Sequence, residues 1–584
     1  MLSFKKVFVF ANSLVCVLFW CFYLGQKFLF MSSVVVEFEV LRGTPLLVSV
    51  PIMMDTLSMS FCCVVLLISS CVMLYSGFYM SDEQYYNRFC KLVLLFVASM
   101  LALTLIPNLI GLMIGWDGLG LSSYLLVVYY QDKRSLGAGT LTVLSNRIGD
   151  VMFFMGISLV SGISAWNFVD MQDMSYMTVL VGIIIVGCMT KSAQMPFSAW
   201  LPAAMSAPTP VSALVHSSTL VTAGIYVLVR FSVHIDGVWF LILSSVASLT
   251  MISSSVSAFY ELDMKKVVAL STLSQLSVML LSLGVGAYSI CMFHLLSHAL
   301  FKALMFLCVG SVIHVSGIQD IRYVGGVGKI SPIVAAWLFV ALFSLMGLPF
   351  LAGFYSKDMV LAAYLSGLCN PLQLVLVCIS TCLSVMYSFW LLACIYPARM
   401  YMSYMWGLGN DLYTSVACSV LGLGALFGGV IMQSVILSFS DECSVDTQLK
   451  LMPFVCFMLG LLAMMYIITS SLEELFSVNK FSELSKDSST QAYYDSWATL
   501  WFLPYLSAGL YINSVMSSSA SLKSDVEDGY MENSFGSEGI WAVSKIVSSQ
   551  FMHIQRDQLS NRMGTAFIKG VVFMMVIFLL GYMM

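Results

Sequence analysis

Residues 292–310 read MFHLLSHALFKALMFLCVG. The stretch is apolar over the length of a bilayer-spanning helix, which needs roughly 20 mostly apolar residues. It nevertheless carries His294, His298 and Lys302. On a helix these positions are i, i+4 and i+8. Each step of four drifts by roughly 40°, so the three side chains share one stripe about 12 Å long. A packing face has no use for a titratable group every ~6 Å, whereas a relay of protons through bridging waters needs that spacing. Three other apolar runs hide a charge. Asp117 lies in LIGLMIGWDGLGLSSYLLVV, Lys191 closes VLVGIIIVGCMTK, and Lys357 closes LFSLMGLPFLAGFYSK. An ionisable side chain at mid-bilayer costs ~2.5–3.5 kcal/mol on insertion scales. A membrane chain that bears several of them uses them to move ions or protons. The sequence therefore reads as a proton or cation translocator.

Composition agrees. Of 584 residues, 60% are hydrophobic and only 10% charged, with a mean hydropathy of +0.93. Length alone suggests several soluble domains. Apolar runs repeating from end to end override that and predict an all-α polytopic membrane protein. The net charge of −4 is small, and no run of basic residues suggests nucleic acid as a partner. Sixteen Cys form no Cys-x-x-Cys pair and sit mostly within apolar runs, where a thiol behaves as a small hydrophobe. Spacing and His partners are wrong for zinc or iron–sulfur ligation. GWDGLGLSS lies within a span rather than after a strand and has no Lys-Ser/Thr, so it is no phosphate loop.

Fifteen spans are predicted, at 7–31, 56–79, 89–107, 108–130, 138–162, 176–205, 209–231, 238–260, 264–288, 289–316, 331–368, 371–397, 412–438, 450–470 and 564–584. The first is read as a retained span, because it is long for a signal peptide and no small-x-small cleavage site follows. Two spans are broken. The sixth holds Lys191 and then Pro196 and Pro202; the eleventh holds Gly347, Pro349 and Gly353 before Lys357. Proline removes a backbone donor and clashes with the preceding turn. Broken helices in lipid are tolerated where protein or a hydrated cavity satisfies the backbone, and they mark ion paths in transporters. Each break places a Lys beside an interrupted helix, which predicts two inverted five-span repeats, 89–231 and 238–397. Flanking them are N-terminal spans in 1–88 and bundle spans in 398–470.

Loop charge gives the orientation. One side carries Lys5, Lys6, Arg88, Lys91, Lys133, Arg134, Lys265, Lys266, Arg322, Lys329 and Arg399; the other carries Lys27, Arg42, Arg230 and Lys450. Eleven against four places the N-terminus inside and, after fifteen spans, the C-terminus outside. Segment 471–563 is polar, then acidic, then weakly amphipathic. Ile540, Trp541, Val543, Ile546, Val547 and Phe551 fall on one broad face, as expected of a helix lying along a surface. Residues 564–584 form a last anchor span.

Among the charged groups, Asp117 and Lys191 are expected to form a buried pair. An Asp beside a Lys keeps both charged, and moving it away lets the Lys release its proton. Arg147 and Asp150, at i and i+3, are expected either to neutralise each other or to tune that pair. His216, among Ser217, Ser218 and Thr219, is expected to bridge the two Lys-bearing halves. Lys357 is the expected terminal proton site, with Asp358 as exit partner. Lys265 and Lys266 are read as inside anchors.

Taken together, GWDGLGLSSYLLV, NRIGD, KSAQMPFSAWLPAAMSAPTPVSALVHSSTLVTAGIY, DMKKVVALSTLSQL, HALFKALMFLCVGSVIH, QDIRYVGG and LPFLAGFYSKD resemble the chain 5 subunits of NADH:ubiquinone oxidoreductase, respiratory complex I. The resemblance covers about residues 50–400 strongly and in order. It implies a distal antiporter-like subunit with a C-terminal lateral helix on the membrane arm, held by the last span. It implies a proton path through Asp117, Lys191, His216, Lys302 with His298 nearby, and Lys357 followed by Asp358. It implies no cofactor in this chain, with FMN, iron–sulfur clusters and ubiquinone in partner subunits. Its partners would be other membrane-arm subunits, above all the adjacent antiporter-like one, with lipids and protons. Composition and the reduced N-terminus look like a product of a mitochondrial genome, so the membrane would be the mitochondrial inner membrane, with the N-terminus in the matrix and the C-terminus in the intermembrane space. Two departures stand out. The family usually has Glu where this chain has Asp117, and only one apolar run precedes MMDTLSMSF. The alternative reading is the large subunit of a multisubunit Na⁺/H⁺ antiporter, which shares these motifs. A clamp that no longer pumps is disfavoured by the intact lysines.

Overall fold

In the computed structural model, helix α1 (Thr56–Tyr79) opens the bundle with a local signal. Asp55 is extended, and its N–H donates to Ser58 Oγ at 2.9 Å, half of a capping box. The structure describes residues 34–42, 47–160, 177–235, 237–367, 370–396, 411–436, 451–476, 500, 516–523, 536–556 and 564–573. The expected first span lies outside them, as do most of 471–563 and the second half of 564–584. Contacts divide the chain into two compact units, Met1–Pro504 and Tyr505–Met584.

The first unit continues with α2 (Tyr86–Leu105), α3 (Leu109–Val127), α4 (Lys133–Val160) and α5 (Met177–Lys191). Then come α6 (Thr209–His234), α7 (Gly237–Tyr260), α8 (Met264–Gly284) and α9 (Tyr288–Ser316). The rest are α10 (Pro332–Met346), α11 (Ala352–Ser366), α12 (Pro371–Ile395), α13 (Leu412–Ile436) and α14 (Met452–Phe476). Among the described residues, 11 helices are long and apolar enough to cross a membrane. Every span expected from 56–79 to 450–470 contains a helix. The serines and threonines that interrupt these apolar helices donate back to carbonyls one turn earlier, as in Ser69 to Leu66 and Ser277 to Ser274, so they are satisfied without water.

Both predicted breaks are present, the first earlier than expected. Helix α5 ends at Lys191, ahead of Pro196 and Pro202. A carbonyl freed at the break is taken by a side chain, Trp200 Nε1 donating to Thr190 O at 2.9 Å, while Cys188 O accepts from both the backbone and the side chain of Ser192. That is how a broken helix survives in lipid. The second break follows the sequence. Gly347 closes α10 in a left-handed conformation (φ +89°) that a side chain would strain. Gly353 then lets α11 press on the Ser344 carbonyl so closely that a Cβ has no room.

The helices most enclosed by the rest of the chain are α6, α8 and α9, with 100%, 94% and 89% of their apolar windows buried. Two of these three carry candidate residues, His216 on α6 and His294, His298 and Lys302 on α9, all buried in the bundle. Ahead of α1 the chain forms an unexpected antiparallel hairpin, β1 (Val34–Arg42) with β2 (Leu47–Met54). A search for runs of about 20 apolar residues passes over short strands. Asp55, at the end of that hairpin, meets Arg230 at 2.5 Å, and Arg230 also donates to Tyr226 Oη at 3.1 and 2.9 Å. This ties the start of α1 to the end of α6.

The second unit contains α15 (Ser517–Lys523), α16 (Ser537–Arg556) and α17 (Gly564–Phe573). On α16 the predicted apolar face exists: Ile540, Trp541, Val543, Ile546, Val547 and Phe551 are all exposed.

Candidate functional site: a row of buried titratable groups

Lys191 is fully buried at the C-terminal end of α5. The expected ion pair with Asp117 is not formed. Lys191 Nζ instead donates to the carbonyl of Trp116 at 2.6 Å and sits 3.7 Å from the centroid of the Trp116 ring. That contact combines a hydrogen bond with a cation–π attraction. Asp117 points away, is about a third exposed (35%), and lies 3.6 Å from Arg147. The reason is angular: neighbours on a helix point about 100° apart, so the turn of α3 that gives Trp116 to Lys191 turns Asp117 outward. Arg147 and Asp150 do neutralise each other, at 3.0 Å. Trp116 Nε1 donates to Asp150 Oδ1 at 2.9 Å. The lysine is thus joined to the Asp150–Arg147–Asp117 cluster through one tryptophan. Sequence reasoning missed Trp116, although it adjoins the singled-out Asp117.

His216 is buried in a π-helical stretch of α6, Ser212–Thr219. Thr219 Oγ1 donates to Leu214 O at 2.7 Å across the widened turn. Such insertions often occur at functional sites. Neither ring nitrogen of His216 has a hydrogen-bond partner among the described residues. Its ring lies 6.1 Å from that of Trp200, whose indole reaches the carbonyl of Thr190, next to Lys191. The imidazole therefore stands between the first break and α9, on which the π-helical stretch packs. Lys265 departs from its reading as an anchor: it is buried and its Nζ donates to Ala207 O at 3.3 Å within the broken segment. Lys266 keeps the surface role, 3.3 Å from Asp263.

On α9, His294, His298 and Lys302 are all buried, and the two imidazole centroids are 6.2 Å apart. Lys302 Nζ donates to Ser271 Oγ of α8 at 2.6 Å. Both nitrogens of His298 and Nε2 of His294 lack a partner among the described residues. His294 Nδ1 meets Ser356 Oγ at 2.9 Å, and Ser297 Oγ donates to the same hydroxyl at 2.9 Å. Ser356 is the residue before Lys357, and Lys357 Nζ donates to Ser384 Oγ at 3.1 Å. Half-buried Asp358 lines a cleft with Lys357, Thr381, Pro453 and Phe457. Ser356, Ser271 and Ser384 were not singled out from sequence. Serine is too common in these helices to signal a role, and only the fold brings Ser271 and Ser384 to lysines and Ser356 to an imidazole.

Among the described residues no ion pair within 4 Å involves Lys191, Lys302 or Lys357. Each ammonium is held by neutral oxygens. Burying an unpaired charge is costly. Three such lysines lie buried in one core.

Residues 43–90 match the family model described as NADH-ubiquinone oxidoreductase (complex I), chain 5 N-terminus. Residues 106–386 match NADH:quinone oxidoreductase/Mrp antiporter, and 387–579 match NADH dehydrogenase subunit 5 C-terminus. The NADH-ubiquinone oxidoreductase chain 5 of Anopheles gambiae is 38% identical over 569 residues, covering 96% of each chain. That of Locusta migratoria is 42% identical over 467 residues, 78% of this chain and 79% of the relative. Among solved structures, the Mrp complex from Dietzia sp. DQ12-45-1b superposes with a TM-score of 0.70 at 23% identity, covering 98% of this chain and 60% of the other. The archaeal membrane-bound sulfane sulfur reductase gives 0.64 at 19%, covering 74% and 73%. At those identities the two structures establish the fold alone. With its three matched segments and its near full-length relatives, the chain belongs to the NADH-ubiquinone oxidoreductase chain 5 family, the antiporter-like membrane subunits of the proton-pumping NADH:ubiquinone oxidoreductase.

Proposed function

We propose that this chain conducts protons through Lys191, His216, Lys302, His298, His294 and Lys357, with Asp358 at the exit. The Asp150–Arg147–Asp117 cluster sets the charge beside Lys191. The observation that carries the reading is the alternation along one core of lysines that form no ion pair and imidazoles that each keep at least one ring nitrogen without a hydrogen-bond partner, among the described residues. Buried polar groups are nearly always hydrogen-bonded, to ordered water where protein offers nothing, so unpartnered imidazoles support a hydrated path. Trp116 replaces the direct acid–lysine contact expected from sequence. A change at Asp117 would reach Lys191 through Arg147, Asp150 and the indole.

The chain would sit in the mitochondrial inner membrane with its N-terminus in the matrix and its C-terminus in the intermembrane space. It would stand beside another antiporter-like subunit, towards which the partly exposed Asp117 and Arg147 are suited to face. Electron transfer through FMN, iron–sulfur clusters and ubiquinone would take place in partner subunits. The Na⁺/H⁺ antiporter reading draws on the likeness to the Mrp complex, which is a likeness of fold; the match over 387–579 favours the oxidoreductase. The test is Lys302→Ala in the assembled complex. Proton pumping coupled to NADH oxidation should fall with assembly kept, and full pumping would overturn the path.

A further inference from the structure

The ladder on α9 continues past Lys302 at the same spacing of four: Phe306, Gly310, His314. From Lys302 to His314 is twelve residues, about 18 Å along the axis, and the helix itself offers no free protic group on that side. Ser311 Oγ is spent on its own backbone, donating to Cys308 O at 2.8 Å. A neighbouring helix supplies what is missing. Tyr75 of α1 is fully buried, and its hydroxyl faces Gly310 together with Thr209, the first residue of α6. A Cβ on Gly310 would lie 2.7 Å from Tyr75 Oη and 2.9 Å from Thr209 Oγ1. The glycine thus holds open the place where the two hydroxyls meet. The two hydroxyls are close enough to interact with each other, and neither has a hydrogen bond of full geometry to any other described group. They share this condition with His216, His294 and His298, and a buried hydroxyl left so takes water. One turn beyond Tyr75, the Tyr79 ring lies 5.9 Å from it and 5.1 Å from the half-buried ring of His314.

We propose that Tyr75, with Thr209, is a proton-relaying residue that carries the α9 path past Gly310 from Lys302 to His314 at the end of the helix. The inference rests on the proton-path reading above and adds to it a branch and two residues. A hydroxyl can accept a proton on one lone pair while releasing its own, so transfer through Tyr75 and bound water leaves the phenol unchanged. The Tyr79 hydroxyl continues the line to His314, a half-buried imidazole at the end of α9.

The test compares Tyr75→Phe, Thr209→Val, Thr209→Ser and Lys302→Ala in assembled complex, reading protons pumped per NADH oxidised and the solvent deuterium effect on turnover. Phe and Val keep the volume and remove only the hydroxyl. If the relay operates, Tyr75→Phe and Thr209→Val slow pumping-coupled turnover about tenfold, the effect of ~1.4 kcal/mol on a barrier, and change the deuterium effect, while Thr209→Ser restores both. Normal pumping in Tyr75→Phe beside a defective Lys302→Ala overturns the branch and leaves the main path standing. Normal pumping in both variants overturns the path itself, and the branch with it. Removing a buried hydroxyl whose one neighbour, Thr209, can turn to water should change stability little. Failure of Tyr75→Phe to assemble would therefore mean a structural hydroxyl, and would also overturn the proposal.

Discussion

At the scale of the residue, the arrangement turns on where one side chain points. Lys191 is bound to a backbone carbonyl and an indole face rather than to a carboxylate, so its charge is supported at a distance. Lys191→Ala removes the titrating group and should lower pumping and coupled quinone reduction while the complex still assembles; full pumping in an assembled variant would rule out a loading role. Asp117→Ala should do the same through Arg147, with Asp117→Glu tolerated, since one more methylene reaches a guanidinium already 3.6 Å away. Trp116→Phe is the sharper probe. It keeps a ring beneath the ammonium and the carbonyl that accepts from it, but deletes the 2.9 Å bond to Asp150. Hydrogen bonds to charged groups contribute ~1.5–3 kcal/mol, so the variant should melt at a lower temperature and pump between wild type and Lys191→Ala. Equal pumping in Trp116→Phe and wild type would mean that the indole does not couple the carboxylate cluster to the lysine.

At the scale of the element, close approach explains what the sequence could only hint at. Gly353 sits where α11 touches the Ser344 carbonyl of α10, and that contact fixes Lys357 one turn later. Gly353→Val should cost the ~1–3 kcal/mol typical of an overpacked core and reduce the yield of assembled complex. Gly120→Ala is the control: nothing lies within 4 Å of its added methyl, and alanine favours a helix over glycine by ~1 kcal/mol. If both substitutions behave alike, the contact at Ser344 is not what positions α11. The spans and the two breaks were legible because length, apolarity and proline act locally. The stripe of His294, His298 and Lys302 was legible because it follows from helical pitch alone. Partners supplied by other helices were not: Trp116 for Lys191, Ser271 for Lys302 and Ser356 for His294 depend on packing, which no spacing within one helix encodes. The hairpin Val34–Met54 was missed for another reason. Its signal is the period-two alternation of EFEV among β-branched residues, and a search for membrane-length runs does not count it.

At the scale of the whole molecule, charge and the C-terminal unit set the remaining expectations. Basic residues divide eleven to four between the two sides of the predicted spans. Discounting Lys265, which is buried, and Arg230, which is paired with Asp55, leaves the asymmetry in the same direction. Protease or tag accessibility should find the two termini on opposite sides of the membrane, and termini on one side would disprove the fifteen-span arrangement. The C-terminal unit separates assembly from proton transfer. Helix α16 exposes Ile540, Trp541, Ile546 and Phe551, a surface that needs an apolar cover or a membrane interface, and α17 follows as an apolar helix. Every candidate proton-path residue lies between positions 75 and 358 in the other unit. Deleting residues 564–584 therefore removes an anchor without touching any proposed proton site. If segment 471–563 braces neighbouring membrane-arm subunits, the truncated chain should give smaller or less stable complexes on native gels. Whatever does assemble should pump a normal number of protons per electron. The opposite result, full-size stable complexes that pump poorly, would make the segment a coupling element and end the brace reading.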